Sequence, residues 1–502
     1  MADIERRKFV KLGLTGAGAL LAGVASASGA ILPAVEPKKF NIIDFGASRE
    51  GEKLNTAAIQ KAIDACFRQG GGQVVVPSGI FLTGSVVLKS KVNLHLEQGA
   101  ILLASTQFKD FPKRTVRSAA RYQKYLNRCM IYAQAEKDIS VTGPGTLDGH
   151  ALLDGTGEFK EQNAENPSFI WFDECENIVI KDVTFRRSVW WTQAYTRCKH
   201  VHVDHINITE NYFNNADGVD IVDCDDFIVE NCSINCNDDG ICLKGYTDAG
   251  CRRGIIRNNR VRTLCNGIKM GTDSSGGFRD ILIEDNEIWQ TAISGIALQI
   301  VDGGVMENII VRRIVMNGIC TPISMRLGER NRLVSGSLAV QPGIMRNVHI
   351  SDIKATVNKA ERYNDEERKR HNYIVHTSSV CGVPGSYIQD VTIENIDITI
   401  VAGFPVATAE DALRMIPEVP KDYPENRMYG TLPSYGFYLR HVKGIQMKNI
   451  TINQKQADGR PAFMLDDVHE SDFEEISVTN SRSAPVFSVK QNCSGILLDQ
   501  IV

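Results

Sequence analysis

The chain has 502 residues, 43% hydrophobic and 23% charged, with 42 Gly and 16 Pro, an ordinary globular balance long enough for a large core or one elongated repeat domain. A formal net charge of −4 and a pI near 6.2 argue against a nucleic-acid or anionic-membrane partner. The 13 cysteines show no paired zinc-type spacing, so they are expected as small buried fillers, with one or two disulfides open to an exported chain.

Residues 1–30 read as an address. Arg6-Arg7-Lys8-Phe9-Val10-Lys11 precedes an apolar Gly/Ala-rich run from Leu12 to Val24, and Ala25-Ser26-Ala27 offers a small-residue cleavage site. The paired arginines resemble a twin-arginine export signal, which implies a periplasmic or extracellular protein with no membrane attachment once the signal is removed. The bland alternative is an uncleaved N-terminal anchor, although the run is short for a membrane span. Residues 31–502 are expected as a single domain.

Phe40 to Ala47 is expected as a short strand. Asn55 or Thr56 then caps a helix with Ala58, Ile59, Ala62, Ile63 and Phe67 at helical spacing, and Gly70-Gly71-Gly72 ends it. The glycines follow a helix instead of opening one, so they form no phosphate loop. Closely spaced strands and turns fill Gln73 to Leu103, and a helix before such strands suits the capped end of a solenoid.

A repeat then becomes plain. Asn177-Ile-Val-Ile-Lys-Asp-Val-Thr-Phe185 recurs from His200, Asp226, Asp280 and Asn308, later from Asn347, Asp390, Gly444 and Gly495, with a weaker copy from Asp472. Early intervals are about 22–28 residues, apart from one doubled gap between Asp226 and Asp280. Each unit carries β-branched alternation around a polar Asn/Asp turn and cannot bury its apolar face alone. The expected fold is all-β, a right-handed parallel β-helix with an N-terminal capping helix. Two stretches exceed the period, about residues 359–387 and 403–441. Such excursions tend to wall a binding site, and their aromatic residues suit stacking on sugar rings.

Aligning the coils on the Gly after each polar turn residue gives Asp217-Gly218-Val219-Asp220, Asp239-Gly240-Ile241-Cys242-Leu243-Lys244, Asn266-Gly267-Ile268-Lys269 and Ser294-Gly295-Ile296-Ala297-Leu298-Gln299. Strand alternation sends Asp220, Cys242, Lys269 and Ala297 outward, and likewise Lys244 and Gln299. Asp217, Asp239 and Asn266 have the opposite parity and need a bend to reach that face. Asp217 lies about one repeat before Asp238 and Asp239, so stacking brings three carboxylates within about 4.8–10 Å. A purely turn-forming role is the plain reading of any one Asp-Gly, but three mutually repelling acids argue for chemistry, with at least one carboxyl pKa raised.

Asn215-Ala216-Asp217-Gly218 and Asn237-Asp238-Asp239-Gly240 resemble the Asn-Thr-Asp-Gly and Asn-Asp-Asp elements of glycoside hydrolase family 28, the polygalacturonase-like β-helices. The likeness spans roughly residues 40–300 and implies an inverting hydrolase of a pectin-like or related acidic or branched polysaccharide, without metal or other cofactor. By that resemblance Asp238 protonates the leaving oxygen, while Asp217 and Asp239 position and deprotonate the attacking water. The sequence departs from the family pattern in two places. Gly-His-Gly is replaced by Cys265-Asn266-Gly267, and the substrate-gripping Arg-Ile-Lys by Ala297-Leu298-Gln299. Asn266, Lys269, Lys244, Gln299 and Arg326 are therefore the candidates for substrate binding. A calcium-dependent polysaccharide lyase, using Asp220, Asp223, Asp225 and Asp226 as ligands and Lys269 as base, is one rival. A non-catalytic glycan-binding solenoid is the other.

Overall fold

The computed structural model describes residues 37–115, 125–152, 157–160, 163–211, 213–333, 337–358, 375–402, 407–480 and 484–502. The expected export signal lies outside them, as do residues 359–374 and 403–406 of the two excursions. Among the described residues no helix is long and apolar enough to cross a membrane.

Lys38–Val502 form one compact unit, a right-handed parallel β-helix. Strands from successive coils pair in parallel register along three columns. Glu176–Lys181 pairs with Lys199–Asp204 in the first, Thr184–Arg186 with Asn207–Thr209 in the second, and Gln193–Thr196 with Val219–Val222 in the third. Inward residues stack into one continuous core, as where Ile178 lies against Val201 and Val201 against Phe227. In the later coils single strands such as Phe437–Gln454 run across more than one column.

The residue that opens each repeat has a structural reason. Asn177, His200, Asp226, Asp280, Asn308, Asn347 and Asp390 all have φ between 50° and 66°, and Gly444 and Gly495 have φ of 72° and 64°. A left-handed residue turns the chain at this corner, which is where Asn, Asp and Gly are best tolerated. The doubled gap is filled by Cys251–Arg257, whose Arg253 takes the same conformation (φ 51°); an arginine there carries no compositional signal. The weak late copy opens at Glu470 (φ 49°), two residues before the expected Asp472.

The N-terminal end corrects two expectations. Only Lys39–Asn41 is a strand, because Asn41 Oδ1 accepts from Ile43 N (3.0 Å) and starts a 3-10 turn, Ile42–Phe45. The helix Thr56–Arg68 buries Ala58, Ile59, Ala62, Ile63 and Cys66, but Phe67 is 44% exposed beneath the Lys89 ammonium. Asn55 sits at the cap position without capping; its side chain instead braces the preceding loop at Ser48 and Lys53. All 13 cysteines are thiols, and all but Cys265 and Cys493 are buried, several as corner fillers such as Cys198 against Cys224.

Two apolar clusters lie outside the helical core on the third column's outer surface. One gathers Tyr132, Trp171, Trp190, Trp191 and Tyr246, with Tyr125 packed against it. The other joins Cys381 and Tyr438 to Ile416, Tyr429 and Leu432 of the second excursion. Between them the outward row runs through Asp220, Cys242, Lys269, Ala297 and Ser324.

Candidate active site

The bend that parity requires is built by glycine. Gly218 N donates to Asp239 O (2.9 Å), Gly240 N to Asn266 O (2.8 Å) and Gly267 N to Ser294 O (2.8 Å), so the turns before successive strands stack directly. A Cβ on Gly218 would fall 2.3 Å from Gly240 O, and one on Gly240 would fall 2.5 Å from Gly267 O. Only glycine permits that approach. Asp217, Asp239 and Asn266 leave this ladder of turns, and Asp220, Cys242, Lys269, Ala297 and Ser324 then pair in register along the adjoining strands. Gln299 pairs with Arg326, but Lys244 is separated from the Gln299 row by a register shift opposite Ile268–Ser274.

Two ammonium groups knit the acids together. Lys244 Nζ meets Asp220 Oδ1, lies 3.4 Å from Asp217 Oδ2 and 3.1 Å from Cys242 Sγ, and stands 4.2 Å over the Trp191 ring. Lys269 Nζ donates to Asp239 Oδ2 at 2.8 Å. Asn266 Nδ2 donates to the other oxygen of Asp239 at 2.7 Å. Cys242 Sγ joins the groups, lying within 4.8 Å of Asp217 and Asp220 oxygens and 3.8 Å from Asp239 Oδ2. Asp238 accepts from Asp239 N (2.9 Å) and Asn215 N (3.2 Å) and makes no direct ion pair with either lysine among the described residues.

These surroundings divide the carboxyls by charge. Burial acts on all four, but for Asp239 it is outweighed by Lys269 and Lys244, and its pKa falls to about 2. Asp238 is raised by burial and by the charge of Asp239 beside it. Asp217 is raised well above the usual carboxylate range by burial, then by Asp220 and Asp238. Burial also lifts Asp220, to about 6, against the pull of Lys244. Asp217 Oδ1 and Asp220 Oδ2 are buried without a hydrogen-bond partner, which adds to the cost of ionising both acids together. The result is an Asp238 carboxyl that holds its proton more strongly than its neighbour Asp239.

The remaining candidates have other engagements. Gln299 Nε2 donates to Pro424 O (2.6 Å), and Arg326 donates to Gly382 O (2.9 Å), Glu418 O (2.8 Å) and Val419 O (3.1 Å). Both hold the second excursion against the site face. That excursion contributes residues which sequence spacing does not connect to the acids. Tyr423 OH lies 3.2 Å from Lys269 Nζ, and the buried Glu425 feels Lys269, Asp239 and Asp238, its pKa raised chiefly by burial. Only the aromatic content of 403–441 hinted at such contacts.

The acids expected for the calcium rival disperse. Asp220 faces Lys244, Asp223 accepts from Thr247 N (3.1 Å), Asp225 pairs with Arg253, and Asp226 meets His200 Nδ1 (3.0 Å). Where Asp217, Asp220 and Cys242 converge, the Lys244 ammonium already stands at the centre of their charge.

The chain is similar to several known proteins. Residues 66–401 match the family profile of Glycosyl hydrolases family 28. A probable polygalacturonase of Vitis vinifera is 29% identical over 304 residues, covering 55% of this chain and 60% of that relative. An exo-poly-alpha-D-galacturonosidase of Dickeya chrysanthemi is 24% identical over 422 residues, 71% of this chain and 69% of the relative. The crystal structure of a hyperthermoactive exopolygalacturonase from Thermotoga maritima superposes with a TM-score of 0.58 at 22% identity, covering 74% of this chain and 89% of that one. A family 28 exopolygalacturonase from Yersinia enterocolitica gives 0.60 at 18% identity, covering 92% and 78%. With the family profile spanning most of the solenoid, including every coil that bears the acids, the chain belongs to Glycosyl hydrolases family 28 and is a glycoside hydrolase.

Proposed function

We propose that the protein hydrolyses terminal glycosidic bonds of a pectin-like polysaccharide with inversion at the anomeric carbon. Asp238 donates its proton to the leaving glycosidic oxygen as that bond breaks. A water attacks the anomeric carbon from the opposite face and passes its proton to Asp239, while Asp217, beside Asp220, orients the water. Inverting hydrolysis needs one protonated and one ionised carboxyl, and the observation that carries this reading is the adjacent pair in which Asp239 is held by Lys269 Nζ (2.8 Å) and Asn266 Nδ2 (2.7 Å) while Asp238 accepts from backbone N–H groups. Asn266 and Lys269 hold the base, and Lys244 holds the Asp217–Asp220 pair. Gln299 and Arg326 act by fixing the excursion above them. Release from a chain end fits a site flanked on both sides by outer apolar clusters, and relatives of this chain include exo-acting polygalacturonases. Export through the Arg6-Arg7 signal brings the enzyme to its polymer.

The decisive experiment compares the parent with Asp238→Asn on pectic oligosaccharides, reading reducing ends and product anomer. Removing the proton donor is expected to lower kcat by roughly 10²–10⁴-fold with an unchanged circular dichroism spectrum. Equal activity in the two proteins removes Asp238 as the acid, and a retained anomer in the parent removes inversion.

A further inference from the structure

We infer that the sugar bound across the scissile bond is uncharged: its recognition rests on hydroxyl donors, and a free uronate carboxylate is disfavoured there. The inference deepens the hydrolase reading above and rests on it. Three observations on this site lead to it.

The first is a balance of charge. Asp217, Asp220, Asp238, Asp239 and Glu425 converge on one place and, apart from the partly buried Asp238, all are buried. The cations that reach the cluster are held by these acids, Lys244 by Asp220 and Asp217, Lys269 by Asp239, and Arg427 by Glu425. A ligand carboxylate would have to compete with those contacts for its counter-charge and would add a further anion to the cluster.

The second is the row of side chains where a cation would stand to receive such a carboxylate. The coil after Lys269 presents Ala297, and the next presents Ser324. Two residues beyond Ala297, the amide nitrogen of Gln299 is tied to Pro424 O. Beyond Gln299, Arg326 directs its guanidinium to three backbone carbonyls.

The third is the kind of atom left without a partner. Asn266 Oδ1 and Gln299 Oε1 are buried and accept no hydrogen bond. Both amides are oriented by their nitrogens, Asn266 Nδ2 on Asp239 and Gln299 Nε2 on Pro424 O, so the oxygen is the atom left over. An unsatisfied buried acceptor calls for a donor. Sugar hydroxyls are donors; a carboxylate offers none.

The test measures binding and turnover separately on three probes: trigalacturonate, its fully methyl-esterified form, and a fully methyl-esterified galacturonide ending in a neutral deoxyhexose. Calorimetry with the full chain is expected to show at least one uncharged probe binding roughly tenfold or more tighter than trigalacturonate, a difference near 1.4 kcal/mol. Ala297→Arg, which places a cation beside Lys269, is expected to raise trigalacturonate affinity and narrow that gap, with the neutral probes little changed. Trigalacturonate binding as tightly as both neutral probes, or no binding of any probe, overturns the inference. Turnover separates the two readings. Fast cleavage of trigalacturonate with weak cleavage of the others sinks this inference and leaves the hydrolase standing. Preferential binding of an uncharged probe with no cleavage of any leaves this inference and sinks the hydrolase.

Discussion

At the scale of single residues, two lysines treat four aspartates unequally. Lys269 is the largest influence holding Asp239 down against burial. Lys269→Met therefore raises the Asp239 pKa from about 2, and because the base must be ionised, the acidic limb of the pH–rate profile moves to higher pH. With Asp238 as the proposed acid, the basic limb is expected to fall as it loses its proton with rising pH; a profile whose acidic limb stays put would contradict the pairing. Asp217 makes the complementary case for stability. Its folded pKa is raised, so its contribution is present below the unfolded value of about 3.9 and is lost as pH rises through the folded value. Asp217→Asn removes that loss. Its Tm relative to the parent is expected to climb between pH 4 and pH 8 while turnover drops, a pattern that differential scanning calorimetry at several pH values checks.

At the scale of elements, the second excursion completes the site from a long way along the chain. Tyr423 reaches Lys269 across 154 residues, a contact that no local spacing announces. The stacked acids were legible because a solenoid converts a sequence interval into a spatial neighbour: Asp217, Asp239 and Asn266 occupy successive glycine-built turns that stack on one another. The outward row of Asp220, Cys242, Lys269 and Ala297 was legible because strand alternation leaves no other parity. What the residues concealed were the coil opened by Arg253, whose left-handed corner has an uncharacteristic occupant, and the engagement of Arg326 and Gln299 with backbone carbonyls of a distant loop. Asn426 is the peg of that loop, accepting from Ser324 Oγ (3.0 Å) and Ser379 Oγ (2.8 Å) and donating to Thr377 O (2.9 Å). Asn426→Ala leaves those groups unsatisfied at a cost of about 1–3 kcal/mol and loosens the wall. Chromatography of the products is expected to shift from single sugars toward longer fragments; an unchanged product pattern would deny the loop that role.

At the scale of the whole molecule, the β-helix is a long nonlocal structure whose coils rely on neighbours for their buried face. Such a fold is costly to unravel and rethread, which is the physical case for export in the folded state. Replacing Arg6 and Arg7 together by lysine is expected to leave full-length, active protein in the cytoplasm on cell fractionation, whereas the parent appears outside it with a shortened N-terminus. Equal export of both proteins would remove the twin-arginine reading.

The sulfhydryl inventory bears on when this structure must form. A chain carrying thirteen reactive sulfurs and joining none of them would scramble if it met an oxidant while still unstructured, since every mispairing would tether segments that belong to different coils. Once wound, eleven of those sulfurs are shielded from the solvent. Export as proposed would therefore require the winding to precede the crossing, with a reducing compartment protecting the nascent polypeptide and its own interior protecting it thereafter.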